Sequence, residues 1–446
     1  MSFGRDEVPQ LTARATDAAR SPVIYDVTRI VTRALNAAPN GIDRVDFALA
    51  RHFLARDQGQ RGALICTAVG PRLADPDSAL ETIEGVESLW REDSDAGQDD
   101  VYRAVVAALL SNGSAQAAMT RVKRAPTLSF LERNWHAMRR WAPYLGRPTR
   151  EAPHGAIYFN VTQFLVDRSW YVRWLTARPD IKPVFFVHDL LPIEAPEFFR
   201  AREAMLHPRR MSNVCRYGAG AVVGSQAVAG RLRQFAAECG RPELPICVAR
   251  LPVSPVFSSR AEPPAALDGV NYFVVCGTIE PRKNLSTLLN VWRVLARDPA
   301  PPKLIIVGKR GWLSAAAIEM LERSAALRPH VIEAGGLSTP GLRSLLAGAR
   351  ALLMPSFAEG FGLPVAEALA AGTPVVASDI EAFREVGGDA IDYVDPLDGL
   401  GWLQAVRDYS TPHSPRRRAA LARLSRGEAV DPSAFFAKID DFIAQL

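Results

Sequence analysis

A chain of 446 residues exceeds what one ordinary hydrophobic core organises, so two domains are expected. Apolar content of 48% and charged content of 23% are ordinary for a soluble globular enzyme, and no run of roughly 18 apolar residues offers a membrane span. The net charge of +5 is local: residues 121–150 carry eight basic residues against one acidic, which leaves the remainder at −2.

The N-terminal stretch MSFGRDEVPQLTARATDAAR lacks an apolar core of signal-peptide length. Five cysteines (66, 215, 239, 247 and 276) form no CxxC pair, which speaks against a disulfide framework or a zinc site and for a reducing, cytoplasmic setting. PVIYDV (22–27) reads as a strand, NGIDRVDFALARHFLA (40–55) as a helix opening at Gly41, and ALICTAV (63–69) as the next strand. The region 70–154 then breaks the rhythm. Its first part is acidic, its second basic and its spacing helical, so it reads as an insertion in the N-terminal domain. Apolar runs resume at GAIYFNV (155–161), VFFVH (184–188) and GAVVGS (220–225), each running into a helical pattern. That alternation belongs to a parallel, doubly wound sheet.

LPVSPVFSSRAEPPAALDG (251–269) reads as a linker, and the alternation restarts beyond it. NYFVVCGT (271–278), KLIIVG (303–308), HVIEAGG (330–336), ALLMPS (351–356) and PVVAS (374–378) are strands, with helices between them. The domains expected are 1–260, with its insertion at about 70–154, and 268–430. DPSAFFAKIDDFIAQL (431–446) carries one apolar helical stripe and should pack back on a core. Two Rossmann-like α/β halves would face a shared cleft, with ligands beyond the carboxyl ends of their strands.

Chemistry collects at the strand ends of the second half. After VVCGT, the cations Arg282 and Lys283 lead straight into a helix, where they suit a diphosphate better than the helix dipole. After ALLMPS comes FAEGFGLPVAEALAAGTP, in which Gly360 and Gly362 precede a proline at the helix start, leaving backbone amides to face an anion. Glu367, in the first helical turn, can accept two ribose hydroxyls, and Glu359, before the turn, can reach a second polyol.

These motifs closely resemble the signature of the family 4 retaining glycosyltransferases, which have the GT-B fold. The likeness runs through EGFGLPVAEALAAGTPVVAS (359–378), CGTIEPRKNLSTLL (276–289), LIIVGKRGW (304–312) and SDIEAFREVGGDA (378–390). PNGIDRV (39–45), VFFVHDLLP (184–192) and VVGSQAVAGRL (222–232) resemble the glycine, histidine and serine elements of the first domain. The resemblance implies that Glu359 contacts the donor sugar, with Gly360, Phe361, Gly362 and Leu363 near sugar and phosphates, and that Glu367 holds the ribose. It implies that Arg282 and Lys283 bind the leaving diphosphate, that His188 lies beside the sugar, and that Gly41, Gly277 and Leu337 line the donor site. The 70–154 region has no counterpart in it.

The implied reaction moves a hexose, mannose among the candidates, from a nucleotide-diphosphate sugar to a glycan or lipid-linked acceptor in cell-surface polysaccharide synthesis. Acceptor entry and diphosphate departure share one face, and the protein's part is electrostatic. No cofactor or metal is expected; Asp93-Ser94-Asp95 matches a metal-binding DxD only on paper. The basic segment, with Phe130, Trp135, Trp141 and Tyr144 among its arginines, suits peripheral contact with an anionic membrane, and nucleic acid is not expected as a partner. The alternatives are a non-catalytic sugar-nucleotide-binding subunit and another GT-B enzyme such as a nucleotide-sugar epimerase.

Overall fold

The structure is a computed structural model that describes residues 21–33, 40–67, 69–90, 95–111, 121–123, 146–257, 262–424 and 432–446. Most of the basic aromatic segment, including Phe130, Trp135, Arg139, Arg140, Trp141 and Tyr144, lies outside the described residues, as does Asp93.

In chain order the first nine strands are β1 (Val23–Asp26), β2 (Arg61–Thr67), β3 (Gly70–Ala74), β4 (Arg121–Lys123), β5 (Arg147–Pro148), β6 (Ile157–Asn160), β7 (Lys182–Val187), β8 (Gly220–Val223) and β9 (Ile246–Val248). The remaining six are β10 (Tyr272–Cys276), β11 (Lys303–Val307), β12 (Val331–Gly335), β13 (Leu352–Met354), β14 (Val375–Ser378) and β15 (Asp392–Val394). Among the described residues they form two sheets, ordered β5-β3-β2-β1-β6-β7-β8-β9 and β15-β14-β13-β10-β11-β12-β4. The central strands are parallel and covered on both faces, which is why β1, β6, β8, β10 and β14 are buried at every position. This is the GT-B architecture of two doubly wound halves.

Each sheet runs outward in one direction from its first strand and then returns to build the other side. The switch points fall between β1 and β6 in the first sheet and between β10 and β13 in the second. Crevices at such points are where doubly wound sheets hold ligands.

The 70–154 region is not uniformly helical. β3 pairs antiparallel with β2, and the helix Pro76–Trp90 packs on the helix Gly41–Leu54. The chain then leaves the first sheet. The helix Asp100–Leu110 packs on β12, and β4 adds parallel to β12 at the edge of the second sheet. Short edge strands with glycine and proline carry too little periodicity to announce themselves. The terminal helix Pro432–Gln445 returns to the first domain, where the Asp440 carboxylate takes His52 Nε2 at 3.0 Å together with Arg56, and Lys182 Nζ donates to the Leu446 carbonyl at 2.8 Å.

A buried polar network fixes the first switch point. Asp26, the last residue of β1, accepts from Tyr158 Oη at 2.6 Å, Asn160 Nδ2 at 2.7 Å and Tyr171 Oη. Nearby, Tyr25 Oη donates to Asp46 Oδ1 at 2.6 Å. Burial pushes the Asp46 carboxyl up to about 7, and the Tyr25 bond and the Arg29 charge only partly oppose it. The folded protein therefore keeps a proton that the unfolded chain has already released between pH 4 and 7, and this site's contribution to stability falls as pH rises through that window. Asp46→Asn keeps the acceptor for Tyr25 without a buried charge. Its Tm relative to the parent is expected to be higher at pH 8 than at pH 5; a difference independent of pH would refute the assignment.

Candidate functional site

The second switch point gathers the two loops that carry the charged motifs, 277–284 after β10 and 355–362 after β13. Backbone and side-chain bonds stitch them together. Phe357 N donates to the Arg282 carbonyl at 2.8 Å, and Asn284 Nδ2 donates to the carbonyls of Pro355 at 3.1 Å and Pro396 at 2.9 Å. Asn284 adopts a left-handed conformation (φ 50°), which ends the short turn Pro281–Lys283 and starts the helix Leu285–Leu295. Arg282 and Lys283 are thus held on a rigid turn whose side chains face the neighbouring loop.

What they face is Glu359. Its Oε2 accepts from Arg282 Nη1 at 2.6 Å and its Oε1 from Lys283 Nζ at 2.6 Å and Ser356 Oγ at 2.8 Å. Burial raises the Glu359 carboxyl, but the two cations outweigh it and hold it down at about 2. On its other side, Arg282 Nη2 donates to Glu280 Oε1 at 2.7 Å. Burial lowers the Arg282 guanidinium, while Glu359 and Glu280 more than restore it, so it stays charged. The sequence suggests separate tasks for Glu359 and the cation pair; the structure shows one compact cluster of two cations and two carboxylates.

The first domain closes over this cluster. A side chain at Gly360 would meet the His188 carbonyl oxygen at 2.5 Å, so only glycine lets the loop pass beneath the end of β7. Ser225 Oγ, the N-cap of the helix Gln226–Glu238, donates to the Gly360 carbonyl at 2.9 Å. The amides of Gly360, Phe361 and Gly362 donate to no protein group among the described residues. His188 sits half-buried at the same edge, its ring pushed down to about 3 by burial and by Arg29, and therefore neutral near pH 7. Its Nε2 is buried and has no hydrogen-bond partner among the described residues. Gly41 approaches Leu363, and Gly277 (φ 141°) lies against the Lys283 stem.

Glu367 is placed differently from expectation. The helix Leu363–Ala370 is capped by Gly362 (φ 98°), which puts Glu367 beyond the first turn. Its side chain can still lean back over that turn toward the cleft mouth. There it pairs with Arg44 of the first domain. Leu337 is buried at the end of β12, and Trp312, after β11, donates from Nε1 to the Phe198 carbonyl at 2.9 Å while Phe198 stacks on Phe357 at 5.7 Å.

Gly277, Arg282, Lys283, Leu337 and residues 359–362 thus lie in the loops that follow β10, β12 and β13, His188 directly follows β7, and Gly41, Leu363 and Glu367 lie on helices. Sequence reasoning missed Arg44, Ser225, Ser356 and Glu280. Ser225 stands at a helix cap inside the serine element already quoted, and that was the available signal; Arg44 lies inside the glycine element with nothing local to mark it out. Asp95 caps the turn Ala96–Gln98 through Gly97 N at 3.1 Å.

Comparison with known proteins bears on the second domain and on the fold. Residues 260–394 match the family model for glycosyl transferases group 1. That match lies over the second domain and leaves the first outside it. Among curated relatives, the O-antigen chain mannosyltransferase B of Escherichia coli is 38% identical over 144 residues, 31% of this chain and 38% of that protein. The MMP alpha-(1->4)-mannosyltransferase of Mycolicibacterium hassiacum is 46% identical over 116 residues, 25% of this chain and 28% of that one. These matches span well under half the length of the relatives. Among solved structures, Anabaena Alr3699/HepE in complex with UDP and glucose has a TM-score of 0.59 at 15% identity, covering 96% of this chain and 100% of that one. Sucrose-phosphate synthase from Thermosynechococcus elongatus gives 0.52 at 17% identity, covering 72% and 80%. At these identities the structural likeness concerns the fold. Among the described residues no helix is long and apolar enough to cross a membrane.

Proposed function

We propose that this protein is a retaining hexosyltransferase that uses a nucleotide-diphosphate sugar and extends a glycan or lipid-linked acceptor in cell-surface polysaccharide synthesis. The observation that carries the reading is the pair Arg282 and Lys283, fixed on a rigid turn at the switch point and gathered around Glu359 on the loop whose Gly360, Phe361 and Gly362 amides are unclaimed. Unclaimed amides beside two cations suit a bound polyanion, which would compete with Glu359 for the cations. In the proposed reaction the bond from the sugar's anomeric carbon to the phosphate oxygen breaks, and the acceptor oxygen bonds that carbon on the same face. The departing phosphate oxygen takes the acceptor's proton. Cations and amides stabilise the charge that gathers on the leaving group. Mannose is the favoured sugar, because the curated relatives named above are mannosyltransferases.

The test is a thermal-shift screen of the protein against GDP-, UDP-, dTDP- and ADP-sugars, since a ligand bound to the folded state raises Tm by mass action. One nucleotide class should stabilise, and with a glycan acceptor it should yield a product whose anomeric configuration, read by NMR, matches the donor. Stabilisation without turnover would favour the non-catalytic binding subunit. An inverted product would overturn the retaining assignment.

A further inference from the structure

Part of the region without a counterpart in the resemblance is built into the second domain. The helix Asp100–Leu110 buries Val101, Tyr102, Val105 and Leu109 in the same core as Leu342, Leu345 and Leu346. Tyr102 Oη lies 2.8 Å from Ser344 Oγ. The chain thus crosses from the first domain to the second near residue 99 and is back in the first at β5.

At the crossing stands Asp99, 3% exposed. One carboxylate oxygen, Oδ1, caps its own helix by accepting from Val101 N at 2.9 Å. The other, Oδ2, accepts from Ser338 N at 2.7 Å, a bond spanning 239 residues of sequence. Ser338 is itself the N-cap of the helix Thr339–Gly348, its Oγ accepting from Gly341 N at 3.1 Å. Its backbone N–H directly follows Leu337 in the loop at the carboxyl end of β12. That loop leaves β12 through the glycine pair 335–336, with Gly336 at φ 87°, so its own backbone does little to fix it.

We propose that Asp99 is a positioning residue for the donor site: it holds the β12 loop, Leu337 included, in the shape that receives the nucleotide. The proposal rests on the nucleotide-sugar reading above. A loop ordered before binding leaves less conformational entropy to be lost when the ligand arrives. The carboxylate touches no reacting group, so its effect falls on affinity and not on the chemical step.

Asp99→Ser separates the two bonds. A serine hydroxyl still caps the helix Asp100–Leu110, but it is too short to serve Ser338 N as well. Calorimetric titration of the full chain with GDP and with UDP is the measurement, alongside donor-saturation kinetics. The dissociation constant of whichever nucleotide the parent binds is expected to rise about tenfold, the scale of one lost buried hydrogen bond. Donor KM should rise with it while kcat at saturation stays within about twofold. Tyr102→Phe removes the Ser344 bond from the same helix and should leave nucleotide affinity unchanged. Equal nucleotide affinity in parent and Asp99→Ser would overturn the proposal, whatever the change in Tm. A parent chain that binds none of GDP, UDP, dTDP and ADP would overturn the functional reading itself.

Discussion

Replacing Lys283 with alanine is expected to lower sugar transfer by about 10²-fold or more, the scale of losing one group that stabilises charge in the transition state. The structure adds a complication that the sequence did not announce. Lys283 Nζ and Arg282 Nη1 both already hold the Glu359 carboxylate at 2.6 Å. A loss of activity in Lys283→Ala could therefore mean a missing contact to the leaving group, or a buried carboxylate left short of countercharge. The double variant Lys283→Ala/Glu359→Gln separates the two, because groups in one network do not add. If Lys283 only neutralises Glu359, the double variant should be no less active than Glu359→Gln alone. If Lys283 acts on the diphosphate, the double variant should fall well below Glu359→Gln alone. Retained full activity in Arg282→Ala/Lys283→Ala would sink the site assignment altogether.

Much of this site was legible because it obeys local rules. Runs such as YFVVC and KLIIV are apolar at nearly every position, as strands covered on both faces must be, and charged residues directly follow them at loops that can only sit at strand ends. Glu359, Arg282 and Lys283 were found in this way. What escaped was anything set by contacts distant in sequence. The Arg44 and Glu367 pair joins positions 323 residues apart, and nothing in GIDRVDF distinguishes that arginine from a solvated one. The placement of the helix Asp100–Leu110 and of β4 against the second sheet escaped for the same reason. The helix DVYRAVVAALL has an amphipathic stripe that says it packs on a core, but a stripe does not name which core. The position of Glu367 within its helix differs from expectation by one residue, enough to take it out of the first turn, because the helix begins before the proline, at Leu363. Helix ends are decided by cap geometry, and here the cap is Gly362 at φ 98°, a conformation invisible in composition.

The two glutamates are expected to fail in different ways when replaced. Glu359 occupies the cations in the ligand-free protein, and its carboxyl is held down at about 2, so it remains charged throughout the physiological range. An incoming diphosphate competes with it for Arg282 and Lys283. Glu359→Gln should therefore bind a nucleoside diphosphate at least as tightly as the parent. Its kcat should nevertheless fall, because a carboxylate beside a sugar ring that becomes cationic gains attraction only as the bond breaks. Glu367 has a different partner. Arg44 reaches it across the cleft, and a ribose gripped by the same carboxylate is unchanged between ground and transition state. Glu367→Gln weakens that grip and the bond between domains together, so KM should rise with kcat nearly held, the mark of uniform binding lost. Arg44→Ala gives the internal check. If Arg44 serves to hold Glu367 ready for the ribose, this variant should raise KM in the same direction as Glu367→Gln, and adding it to Glu367→Gln should change little more. Donor-saturation kinetics on the four variants, with nucleotide titrations beside them, decide the matter. Parallel shifts in kcat and KM for Glu359→Gln and Glu367→Gln would mean that the cluster and the cross-cleft pair act as one unit, and the division of roles would be wrong.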